Sequence, residues 1–223
     1  MRMATRIRGA AGYRSTRVAF FTISCAHRGR VALSKSEWRT AFRRSSSLRR
    51  CTTTRTGRHV AVDPFQVSDF NSIGLLNLER AELRQLVDWR EARSDLALPE
   101  MWRAGERFEF AFIDGCHLLD AVLVDFYYID KMLPVGGYVV FDDVWMRGVR
   151  KVISFALHNR RYELVRMKSP LPVPLWKRAG RIGVRFLQTP LERDWRLRLL
   201  PLNIAVLRKT AEDERDWDYH RRF

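Results

Sequence analysis

Between Phe110 and Trp145 the chain reads FAFIDGCHLLDAVLVDFYYIDKMLPVGGYVVFDDVW. Two apolar runs, Phe108–Ile113 and Tyr138–Phe141, each end in carboxylate: Asp114 after the first, Asp142 and Asp143 after the second. Between them Leu119, Val122, Leu123, Phe126, Ile129 and Leu133 recur at helical spacing, and Pro134 with Gly136-Gly137 ends the helix. A strand, a helix and a second strand in this order make a right-handed parallel crossover. In open α/β sheets the strand C-terminal ends line the ligand crevice. Three carboxylates from two such strands therefore meet in one place. Like charges that close are unfavourable unless a cation or proton compensates, and a hard divalent ion such as Mg²⁺ resolves the conflict.

The same alternation extends to both sides. A short strand, Arg58–Val62, ends at Asp63-Pro64, where proline cannot continue the ladder. Asn71–Leu86 is predicted helical, Leu86–Glu91 a strand, Arg93-Ser94-Asp95 a polar turn, and Leu96–Ala104 a short helix interrupted at Pro99. Gly148–Asn159 is predicted as another helix. Tyr162–Met167 and Asn203–Lys209 are predicted as two closing strands with no helical crossover between them, which suits an antiparallel hairpin at a sheet edge. The expected fold is α/β: a Rossmann-like, mostly parallel sheet with helices on both faces and an antiparallel last strand, in a single domain.

Charge separates the N-terminus from the rest. Residues 1–58 hold 15 of the 41 Lys and Arg but a single acid, Glu37, so that segment carries +14 of the formal net charge of +16. It is rich in Arg, Ser and Thr and lacks sustained apolar periodicity. Three readings stand side by side: an organelle transit peptide, a basic arm for polyanions, or foreign text from a wrong start or frame shift. The expected organisation is a basic, poorly ordered or non-native segment over 1–56, an α/β domain over 57–210, and a charged tail over 211–223. Three cysteines, Cys25, Cys51 and Cys116, form no disulfide framework and suit a reducing, cytoplasmic setting. The apolar run around Val18–Cys25 is about half of the ~20 residues that a membrane span needs, so no membrane partner is expected.

From Gly57 to Lys209 the chain resembles the class I S-adenosylmethionine-dependent methyltransferases, and within them the metal-dependent small-molecule O-methyltransferases. The residues that carry the resemblance are Val60-Ala61-Val62-Asp63-Pro64, Phe112-Ile113-Asp114-Gly115-Cys116-His117, and Gly136-Gly137 through Asp142-Asp143-Val144-Trp145. The resemblance implies that Asp63 accepts hydrogen bonds from the cofactor ribose, since a carboxylate accepts from two neighbouring hydroxyls at once. It places Ser94 and Asp95 near the adenine, Asp114 on the cofactor side, and Asp114, Asp142 and Asp143 around the metal. The metal would act as template and Lewis acid on the hydroxyl of a small-molecule acceptor.

Two departures stand out. Many relatives carry an acid two positions after the first metal ligand; Cys116 stands there, and His117 is the nearest titratable substitute as general base. A structural role for His117, beside the adenine or at the helix cap, is an equal alternative. The family's Glu-x-Gly-x-x-x-Gly turn should lie roughly 20–30 residues before Asp63, because glycine lets backbone approach the cofactor closely. That window, Ala32–Phe42, contains no glycine, and Gly29 and Gly57 fit no such pattern. The expectation is therefore weak or absent cofactor binding, with the acceptor and metal side retained.

The alternatives are a catalytically inactive binding module on the same fold, a metal-using hydroxylase-like relative, and a nucleic-acid protein acting through the basic arm; no reader motif favours the last. Cys116 as a nucleophile has no supporting motif. The Pro- and Trp-rich connector Ser169–Pro201, with Trp176 and Trp195, stands where a substrate cover is expected. The acceptor is unread, and a homo-oligomer stays open.

Overall fold

The computed structural model describes residues 20–26, 57–165, 179–180, 183, 194, 196–197, 200 and 203–223. They form a seven-stranded sheet. In chain order its strands are β1 (Phe20–Ala26), β2 (Gly57–Val62), β3 (Val87–Arg90), β4 (Phe110–Asp114), β5 (Tyr138–Phe141), β6 (Tyr162–Leu164) and β7 (Ala205–Lys209). Four α-helices connect them: α1 (Ile73–Arg80), α2 (Ser94–Arg103), α3 (Leu119–Met132) and α4 (Arg147–Asn159). The strand order is β3-β2-β1-β4-β5-β7-β6. The pairings make β2 to β6 run one way and β1 and β7 the other. This is the Rossmann-like α/β fold that the alternation predicts, with β7 inserted antiparallel between β5 and β6.

Period-2 alternation assigns the two faces. Val60 and Val62 of β2, Ala111 and Ile113 of β4, and Val139 and Phe141 of β5 share one buried cluster with α2, α3 and α4. The residue between, Ala61, packs on the other face with Leu78 of α1, Leu83 and Val87. Phe126 is fully buried and sets its ring against Phe141, Phe155 and Tyr162, which ties α3 to the sheet and to α4. Among the described residues, no helix is long and apolar enough to cross a membrane.

Several boundaries differ from the sequence reading. The helix expected over Asn71–Leu86 ends at Arg80; Glu82 takes φ 58° and a 3₁₀ turn, Arg84–Leu86, leads into β3. That break lets Leu83 turn inward. The helix expected to halt at Pro99 runs through it from Ser94, because proline there removes one intrahelical bond while Ala97, Leu98 and Met101 stay buried. Ser94 and Asp95 consequently open α2 and are not a free turn.

The largest difference is β1. It comes from the basic segment, and it fills the slot between β2 and β4 with its direction reversed. Phe20 pairs with Asp114, while Ala26 pairs with Gly57 at the far end of β2. The N-terminal end of β1 thus faces the crevice side of the sheet, and its last residue, Ala26, lies at the opposite edge.

Candidate functional site

The carboxyl ends of β2, β3, β4 and β5 share one edge. The Asp63 amide donates to the Arg90 carbonyl at 3.1 Å, and the Asp142 amide to the Ile113 carbonyl at 3.0 Å. Asp114 is the last residue of β4, so Asp114 and Asp142 lie side by side. Asp63 and Asp114 flank β1, two strand spacings or about 10 Å apart.

The triad expected from the sequence was Asp114, Asp142 and Asp143. The structure draws together Asp114, His117 and Asp143, each offering one ligand atom, all within 4.8 Å of one another. Asp142, beside Asp114 on the sheet edge, is not a member of that set, and one of its oxygens is engaged locally. Its Oδ1 accepts the Asp143 amide at 2.7 Å, and Asp143 itself sits in the left-handed region at φ 50°. Asp tolerates that conformation better than most residues. The turn swings the Asp143 side chain toward β4.

Further contacts hold Asp143 in place. Its Oδ1 accepts from Trp145 Nε1 at 2.8 Å and from Asn203 Nδ2 at 3.0 Å. Asn203 Oδ1 in turn accepts the Trp145 amide at 3.1 Å. Asp143 Oδ2 lies 2.9 Å from His117 Nε2. The His117 turn is fixed from behind by Gly148 in the first turn of α4: a Cβ there would lie 2.5 Å from the His117 carbonyl oxygen. Asn203 and Gly148 were not singled out from the sequence. Asn203 is 60 residues from Asp143 and carries no spacing signal; Gly148, a glycine inside an amphipathic helix, was the readable hint.

The donor set fits a divalent cation. Two carboxylates and an imidazole converge with little water around them: the side chains of His117 and Asp143 are 9% and 14% exposed, and Asp114 is buried. Buried carboxylates are costly without a compensating positive charge.

Asp63 is buried, and its carboxylate organises its own turn: Oδ1 accepts the Phe65 amide and Oδ2 accepts Gln66 Nε2, both at 3.0 Å. Gln66 continues the chain of contacts to the Gly74 amide at 2.8 Å. Each carboxylate oxygen has a second lone pair, so ribose binding is compatible with this turn. Asp95 is engaged by Arg93 in a two-point pair at 2.9 Å, whose hydrogen bonds hold its carboxyl below the usual range. The Ser94 side chain bonds to Asp125 of α3. Both residues stand at the crevice end of α2, already committed to protein partners. Cys116 is half-buried and forms no disulfide. Glu37, Gly29 and the Trp176 and Trp195 of the connector lie outside the described residues.

Residues 39–144 match a family model described as a methyltransferase domain. No curated protein matches the chain by sequence. Three solved structures show the range of similar folds. An O-methyltransferase from Bacillus cereus in complex with SAH is 20% identical at TM-score 0.44, over 51% of this chain and 56% of its own. The O-methyltransferase TomG from Streptomyces achromogenes, involved in tomaymycin synthesis and in complex with SAM, is 17% identical at TM-score 0.43, over 64% and 58%. The MycE methyltransferase of mycinamycin biosynthesis, in complex with Mg and SAH, is 16% identical at TM-score 0.34, over 67% and 44%. The chain thus spans under two thirds of the length of each.

Proposed function

We infer, from the match of residues 39–144 to a methyltransferase-domain family model, that this chain is a class I S-adenosylmethionine-dependent methyltransferase built for metal-assisted methyl transfer to a hydroxyl of a small molecule. The observation that carries the metal part is the convergence of Asp114, His117 and Asp143 at the crevice edge of the sheet. A bound divalent ion there would supply Lewis acidity and lower the pKa of a coordinated hydroxyl. The chain's own residues do the rest: Asp114 and Asp143 hold the ion, Asn203 and Trp145 hold Asp143, and Asp142 shapes the turn by capping the Asp143 amide. Asp63 offers a buried carboxylate for the ribose, and Ser94 with Asp95 marks the adenine end of the crevice.

The cofactor side fits less well. A close glycine turn after the first strand would have to emerge at the crevice, yet the end of β1 at that edge is its N-terminal end. The segment Phe20–Ala26 itself contains no glycine. We therefore propose that this chain binds S-adenosylmethionine weakly, and an inactive, ligand-holding member of the fold is the second reading that β1 favours. Calorimetric titration of the purified chain with S-adenosylmethionine tests both. Binding weaker than about 1 mM is expected, corresponding to under about 4 kcal/mol. Micromolar affinity overturns the impairment and leaves the methyltransferase reading intact.

A further inference from the structure

We propose that a cavity of about 410 Å³ on the side of the sheet away from the crevice is a second binding site, and that it takes a small aromatic oxyanion, a carboxylate or phosphate on a flat ring. The proposal does not depend on the methyltransferase reading. The cavity is lined by Trp102 from the last turn of α2, by Tyr127 and Lys131 from the end of α3, and by Arg160 just past α4. Lys209, the last residue of β7, also lines it and pairs with Tyr162, the first residue of β6. The site therefore lies at the amino ends of the parallel strands, opposite Asp63 and Asp114.

The charges around the cavity decide the sign of the ligand. Its carboxylates are all engaged. Asp130 accepts from the Tyr162 hydroxyl at 2.8 Å and lies 3.5 Å from both Lys209 Nζ and Arg160 Nη1. Glu212 pairs with Lys209 at 2.7 Å. Asp213 pairs with Arg160 and accepts from Arg215 Nε at 2.6 Å. Lys209 also donates to the Asp130 and Leu133 carbonyls, both at 2.9 Å, which neutralises the negative end of α3. With Arg215 counted, four cations meet three carboxylates, and Lys131 is the cation left over. Its contacts are two rings: Nζ lies 5.0 Å from the Trp102 centroid and 4.8 Å from that of Tyr127. Among the described residues it has no carboxylate partner.

Arg160 adds donor capacity that the fold does not use. Its side chain is 10% exposed, and its Nε has no hydrogen-bond partner among the described residues. A buried donor left unmet is costly, and more so on a charged group. An oxyanion is the group that answers an ammonium and a guanidinium together. A cationic ligand would instead face Lys131 with every carboxylate already paired. The flat, apolar part of the ligand follows from the walls. Trp102 and Tyr127 are 39% and 43% exposed, which leaves ring area for contact beyond their hold on Lys131. The volume suits a small molecule, since such sites run from roughly 300 to 1,000 Å³.

The test is calorimetric titration of the full chain with four probes: benzoate, phenyl phosphate, inorganic phosphate and benzylamine. Benzoate or phenyl phosphate should bind with Kd of about 1 mM or tighter, and the tighter of the two identifies the oxyanion. Inorganic phosphate, which lacks the ring, should bind at least about tenfold more weakly, and benzylamine should not bind. Lys131→Ala should weaken the aromatic anion at least about tenfold, and Lys131→Arg should restore it. Trp102→Ala should weaken it as well while leaving inorganic phosphate unchanged. The comparison of benzoate with benzylamine needs no variant, so a misfolded substitution does not stall it. Failure of both aromatic anions to bind overturns the proposal. Benzylamine binding as tightly as benzoate overturns the sign of the site. Full affinity in Lys131→Ala overturns its location.

Discussion

Asp125 is a carboxylate whose charge the fold accommodates poorly. It lies on the inner face of α3, 1% exposed, and its Oδ1 has no hydrogen-bond partner among the described residues. Burial is the main cause that pushes its carboxyl up to about 7; the bond with Ser94 opposes the shift and the nearby charge of Asp95 adds to it. The unfolded chain ionises this group near its ordinary value of 3.8. Between those two values the native state holds a proton that the unfolded state has released. The associated stability is complete below about 3.8 and is lost as pH rises through about 7. At about 1.4 kcal/mol for each pH unit, the swing is of order 4 kcal/mol. Asp125→Asn keeps the shape and removes the titration. Burying the amide carries its own cost of about 1–3 kcal/mol, but that cost does not vary with pH. Urea unfolding of both proteins at pH 4, 6 and 8 isolates the charge effect. The variant should gain on the wild type by about 4 kcal/mol between pH 4 and pH 8. A constant offset across that range would refute the reasoning, since it would mean that Asp125 ionises alike in both states.

Three further outcomes follow from other sites. His59 of β2 is buried and its pKa is lowered to about 4, so the folded chain holds it neutral while the unfolded chain protonates it near 6.5. Stability should fall by about 3 kcal/mol as pH drops from 6.5 to 4; an NMR titration of the folded protein giving a pKa above 6 would contradict this. Tyr162→Phe removes the phenol that donates to Asp130 Oδ1 at 2.8 Å in a buried network with Lys209, and should cost about 1–3 kcal/mol in urea unfolding; a neutral effect would show that Asp130 is satisfied without it. Gly148→Ala places a methyl against the His117 carbonyl and should lower Mn²⁺ affinity at least about tenfold while the protein remains folded by circular dichroism; unchanged affinity would break the link between α4 and the site.

The last two strands show how much of the fold was legible. Strand limits Tyr138–Phe141 were read as they stand, and the helix over Leu119–Met132 to within one residue at each end, because apolar runs and the Pro134/Gly136-Gly137 stop are local signals. The closing hairpin was read as a kind, but not the insertion of β7 between β5 and β6, since pairing order is a property of the sheet. At the site, the sequence brought Asp114 and Asp143 to one edge correctly. It assigned Asp142 to the same cluster from its place at the strand end and from the resemblance. A single left-handed residue decides that choice, and Asp143 is one residue type in which φ of 50° leaves no mark on the sequence.

The amino-acid sequence alone determines the α/β alternation, the carboxylates at strand ends, the resemblance to a methyltransferase, and the absence of glycine over Ala32–Phe42. These depend on neighbours within a turn or two of chain. Only the tertiary structure decides that the central slot is filled by Phe20–Ala26 running backwards, and that His117 comes together with Asp114 and Asp143. Both follow from forces that no local pattern encodes: an open pair of strand edges must find hydrogen bonds, and a side chain's direction is set by backbone dihedrals and by partners such as Asn203 and Gly148 from distant segments.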